Sequence, residues 1–104
     1  MAFVYVAKAA EIAPGQIREI RLEGISIALA NVGGQFHALN NTCLHRGGPL
    51  GQGSLQGNMV TCPWHGWSFD VTSGKVSGNQ SAGVARYLVE QRGEDLYVDV
   101  GTPA

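Results

Sequence analysis

Cys43-Leu44-His45-Arg46-Gly47-Gly48-Pro49-Leu50 and Cys62-Pro63-Trp64-His65-Gly66-Trp67 contain both cysteines and two of the three histidines of the chain. The pattern is C-x-H, sixteen residues, then C-x-x-H. Each segment offers one soft thiolate and one imidazole on a turn rich in Gly and Pro, where the backbone can wrap closely around something small. Two sulfur and two nitrogen ligands suit zinc or an iron–sulfur centre. A disulfide or a pair of buried thiols would account for the cysteines alone. It would leave two neighbouring histidines unexplained, and a reducing compartment disfavours it.

The order of the ligands separates the two metal readings. A zinc finger gathers its cysteines on one hairpin and its histidines on a helix, whereas here each segment carries one of each. Two matched loops can instead cross over a two-iron core, with both cysteines on one iron and both histidines on the other. At Cys43, His45, Cys62 and His65 the sequence resembles the Rieske family, with Gly47, Pro49 and Gly66 at the family's Gly and Pro positions. The resemblance continues through Trp67-Ser68-Phe69-Asp70 and the Thr72-Ser73-Gly74 turn, and more loosely spans a chain whose length is that of a free-standing Rieske ferredoxin.

At 104 residues the chain is expected to form a single domain. It has no room for a second catalytic domain. Charged residues make up 14% and the net charge is −1. With no basic stripe, nucleic acid and anionic membranes are not expected partners. The first eight residues lack the positive region and apolar run of a signal peptide. No segment approaches the ~18 apolar residues of a membrane span, so a cytoplasmic chain is expected.

Along the chain, Phe3 to Ala7 reads as a strand and Lys8 to Gln16 as a connector with one helical turn. Gln16 to Leu22 is strand-like, with Ile17 out of phase with Ile20 and Leu22, as a bulge would make it. Ile25, Ile27 and Leu29 alternate with Ser26, Ala28 and Ala30, the pattern of a half-buried strand. Asn31-Val32-Gly33-Gly34 turns into a returning strand at 35–40. The first ligand loop runs from Cys43 to about Gly53. Short strands follow at Met59 to Thr61, Ser68 to Val71 and Lys75-Val76. After a Gly/Ser/Asn-rich stretch, Ser77 to Gly83, come strands from Val84 to Glu90 and through Leu96, Val98 and Val100. No window of ten residues has helical periodicity. The fold class is all-β, a sandwich or barrel by alternation alone. The Rieske resemblance implies antiparallel sheets forming a base, with residues ~40–70 as a small cluster-binding lobe.

That resemblance implies one 2Fe-2S cluster held by Cys43, His45, Cys62 and His65, with the histidine ring edges facing solvent. Two ferric ions, two sulfides and two thiolates sum to zero, so an added electron meets less repulsion than at a four-thiolate cluster. High-potential members carry a disulfide and Ser and Tyr donors near the cluster. Gly48, Trp64, Trp67 and Phe69 stand at those four positions, which predicts a potential near the bottom of the range, about −150 mV. The implied role is one-electron transfer without bond chemistry, from a flavin-dependent reductase to a terminal oxygenase, by a likewise implied monomer. The alternatives are a small subunit of a nitrite reductase or another oxidoreductase component, a sensor cluster, and a structural zinc module.

Around the ligands, Trp67 reads as packing and Trp64 as packing or a hydrophobic collar. Leu44 reads as an apolar contact, Arg46 as a solvated charge and His37 as a core-edge histidine. Asp70 reads as the cap of the following turn. Many family members cover the cluster with a proline-rich loop. Ser77 to Gly83 lacks proline there, so a looser cover is expected.

Overall fold

The computed structural model describes residues 3–22, 24–41, 49–63, 67–76 and 79–100, with 79–82 as backbone alone. Twelve strands form among the described residues: β1 Phe3–Lys8, β2 Ile17–Leu22, β3 Ile25–Val32, β4 Gln35–Asn40, β5 Ser54–Gln56, β6 Met59–Thr61, β7 Ser68–Asp70, β8 Lys75–Val76, β9 Asn79–Gly83, β10 Arg86–Tyr87, β11 Val89–Arg92 and β12 Asp95–Asp99. Short 3₁₀ turns at Ala9–Glu11 and Leu50–Gln52 interrupt them. The fold is all-β, and every strand pairing is antiparallel. Among the described residues no helix is long and apolar enough to cross a membrane.

The strands make three sheets, ordered β1-β12-β11, β10-β4-β3-β2 and β5-β6-β7-β8-β9. The middle sheet is the organising layer because both its faces are buried. Ile27 and Leu29 of β3 and Ala38 of β4 pack into one core with Leu96 and Val98 of β12. Ala28 and Ala30 of β3 and Leu39 of β4 pack into a second core with Leu50, Val60, Cys62, Phe69 and Val71. Successive side chains of a strand point to opposite faces, so β3 delivers large residues to the first core and alanines to the second. The clean alternation of β3 thus separates two hydrophobic environments rather than core from solvent.

The same arrangement corrects the reading of β2. Its register with β3 runs unbroken from Ile17↔Ala30 to Leu22↔Ile25, with no bulge. Ile17 is out of phase because it packs against the second core, while Ile20 and Leu22 pack against the first. A register shift occurs instead in β1, between Tyr5 and Ala7.

The β3–β4 hairpin turns on Gly33-Gly34, whose φ angles of 59° and 96° fall where a side chain would be strained. The third sheet extends past residue 70: β8 and β9 carry it to Gly83, and the Gly/Ser/Asn-rich stretch contributes an edge strand. The single strand expected from Val84 to Glu90 is divided. β10 pairs with β4 of the middle sheet and β11 with β12 of the base, so the chain changes sheets at Leu88, which is exposed.

Candidate metal centre

Cys62 follows β6 directly and is 2% exposed, a free thiol in the second core beside Val60 and Phe69. The strands on either side of its loop are locked by the pairs Thr61↔Ser68, Val60↔Phe69 and Met59↔Asp70. The Thr61 and Ser68 hydroxyls lie 3.2 Å apart. The Cys62 N–H donates to the Trp67 carbonyl at 2.7 Å, so the segment 62–67 begins and ends at one hydrogen bond. Trp67 packs against the same core, as expected of a packing residue.

The first ligand segment is closed at its base in the same way. The Leu50 N–H donates to the Asn41 carbonyl at 2.7 Å, and the Asn41 N–H donates to the Ser26 carbonyl at 3.0 Å. Asn41 is buried, and its side chain extends the closure. Oδ1 accepts from the Gly51 N–H at 2.7 Å, and Nδ2 donates to Glu19 Oε2 at 2.5 Å. The two bases are also joined to each other. Leu50 and Cys62 share one core, and a Cβ on Gly53 would lie 2.1 Å from the Thr61 carbonyl oxygen. The 3₁₀ turn after the first segment therefore presses on the end of the strand that delivers Cys62. Gly51 is equally constrained, since a Cβ there would lie 2.6 Å from Glu19 Cα.

Of the four expected ligands, Cys62 is described; Cys43, His45 and His65 lie outside the described residues, as do Leu44, Arg46 and Trp64. The described part fits an iron–sulfur centre. A free cysteine stands at the mouth of a pinched loop, among Val60, Phe69 and Trp67, where a thiolate can bind iron shielded from water.

Electrostatics around the centre follow its supports. The hydrogen bond from Asn41 holds the Glu19 carboxyl below its ordinary range, against burial and with help from Arg21. At Asp70 burial pushes upward, but hydrogen bonds from Thr72 and Asn58 prevail and the net shift is downward. Asp70 Oδ1 accepts from the Thr72 N–H at 2.8 Å and its hydroxyl at 2.6 Å, the turn-capping role expected of it. His37 is half-buried on β4; burial and then Arg86 lower its pKa, and Asp70 partly opposes them.

Asn41, Glu19, Gly51 and Gly53 were not legible as site residues. The available signal was an Asn two positions before Cys43 and the Gly-x-Gly after Pro49-Leu50.

Residues 2–88 match the family description Rieske [2Fe-2S] domain. The chain is 33% identical over 95 residues to Ferredoxin CarAc of Metapseudomonas resinovorans, covering 89% of each chain. It is also similar to a chain in the solved complex of reduced oxygenase and oxidized ferredoxin in carbazole 1,9a-dioxygenase, with 33% identity, a TM-score of 0.85, and 92% and 91% of the two chains covered. Over 62 residues it is 42% identical to Apoptosis-inducing factor 3 of Mus musculus, of whose length it spans 10%. The chain belongs to the Rieske [2Fe-2S] domain family. Its cofactor is a Rieske-type 2Fe-2S cluster.

Proposed function

We propose that the chain is a one-electron carrier in which Cys43, His45, Cys62 and His65 hold the cluster. The observation that carries this reading is the free, buried Cys62 at the base of one pinched loop, with a second pinched loop joined to it. The near full-length likeness to a ferredoxin supports it. When bound, the cluster accepts and releases one electron. The chain's own residues do the rest. Cys62 supplies a thiolate, Phe69 and Trp67 exclude water from its surroundings, and the closed loop bases hold the ligand segments in register.

In this reading a flavin-dependent reductase donates the electron and a terminal oxygenase accepts it. The oxygenase–ferredoxin complex with the similar chain supports the acceptor. The chain acts as a single Rieske unit whose lobe, about residues 40–70, bears the cluster. A cytoplasmic location belongs to the same reading, because a reducing compartment keeps Cys43 and Cys62 available as thiols for iron.

The test is reconstitution followed by metal analysis and EPR. Two irons and two sulfides per chain, with a rhombic signal after one-electron reduction, are expected. Replacing any one of Cys43, His45, Cys62 or His65 should abolish that signature and electron delivery to an oxygenase. A colourless protein with one zinc would overturn the reading, as would full cluster content after loss of His45 or His65.

A further inference from the structure

We propose that Glu19 and Asn41 form a positioning bracket that sets the first ligand segment against the second and so tunes the bound cluster; this rests on the ligand assignment proposed above. Asn41 is the last described residue before that segment and makes four hydrogen bonds to three separate parts of the chain. Its N–H reaches Ser26 and its carbonyl takes the Leu50 N–H. Its side chain takes the Gly51 N–H and donates to Glu19. The two backbone bonds are enough to close the segment. The side-chain bonds do something more: they fix both stems, at Asn41 and at Leu50-Gly51, to the β2 strand of the middle sheet.

The construction around the pair is specific. Glu19 lies on the face of β2 that carries Ile17, the face turned to the second core and Cys62. Gly51 rests on the Glu19 backbone so closely that a Cβ would be 2.6 Å from Glu19 Cα, which places the Gly51 N–H where Asn41 Oδ1 can accept it. Arg21 Nε, 3.4 Å from Glu19 Oε1, steadies the carboxylate from its exposed side. On the far side of the turn, Gly53 abuts Thr61, the residue before Cys62. Displacement of the bracket would therefore pass through the 3₁₀ turn to both ligand segments. Partners behind the ligands of a metal site tune it as the ligands do.

The experiment uses the full chain loaded with its cluster and compares Glu19→Ala, Glu19→Gln, Asn41→Ala and the double Ala variant. Two properties are read: the rate of bleaching under an iron chelator, and the g-values of the reduced cluster. Glu19→Ala and Asn41→Ala are each expected to speed iron loss on the order of 10-fold, the lower end for outer-shell partners, and to shift the g-values. Glu19→Gln, whose amide oxygen still accepts from Asn41, should stay near wild type. The double variant should be no worse than the worse single one, because the pair acts as a unit.

Wild-type bleaching rates and g-values in both single Ala variants would overturn the proposal, even with a lowered melting temperature. A Glu19→Gln variant as impaired as Glu19→Ala would overturn it too. Should Asn41→Ala fail to fold, the contrast between the two Glu19 variants decides. A wild-type chain without two irons would refute the ligand assignment instead, so the two failures are distinguishable.

Discussion

Gly51 and Gly53 carry more of the site than their size suggests, because each lets one backbone segment lie on another. Adding a methyl at Gly51 drives it into the Glu19 backbone. Gly51→Ala is expected to cost about 1–3 kcal/mol, as overpacking does, read as a lowered urea midpoint, and to weaken cluster retention. A second residue-scale prediction concerns potential. Phe69, at the position where high-potential relatives of the family are expected to carry a Tyr donor, is fully buried and has no hydroxyl. A donor to the cluster sulfurs stabilises the reduced state and raises the potential. The midpoint of this chain should therefore lie near the low end of the family range, about −150 mV; spectroelectrochemistry giving a value above about +100 mV would contradict this. The four candidate ligands were legible in the sequence because soft donors at fixed spacing have few other uses. The Glu19–Asn41 pair was not, because its two members stand far apart in sequence and carry no chemistry of their own.

Elements were legible where one rule governed them. The β3–β4 hairpin follows from the Gly33-Gly34 pair and the alternation on either side of it. The division between β10 and β11 does not, since Val84 to Glu90 keeps its pattern while its partner changes from β4 to β12. The three-residue β5 and the Gly/Ser/Asn-rich β9 are strands by virtue of their neighbours, with no propensity signal to reveal them. The double burial of β3 gives a prediction at this scale. Ala30 faces the second core at 0% exposure and Leu29 the first, also at 0%. Ala30→Leu should destabilise by about 1–3 kcal/mol through overpacking, and Leu29→Ala by about 2–5 kcal/mol through a cavity. Denaturant titration measures both, and only Ala30→Leu should also disturb the visible spectrum of the loaded protein.

At the scale of the whole molecule, acid removes in succession the stabilisation that His37 and then Glu19 and Asp70 contribute. The pKa of His37 is lowered from 6.5, so the unfolded chain takes up its proton first and stability falls as the pH drops below that value. The carboxyls of Glu19 and Asp70 are lowered from 4.5 and 3.8; their stabilisation is present above those values and is lost as the pH falls through the folded ones. Urea midpoints from neutral pH downward should therefore fall in two stages, and His37→Gln should flatten the first while leaving the second.

Three sheets share two cores, and the middle sheet supplies a wall to each. An engineer who cut out residues 41–83, both ligand segments included, for grafting elsewhere would take five strands and leave their lining behind on Ala28, Ala30 and Leu39. The redox centre is portable only together with the strands beneath it.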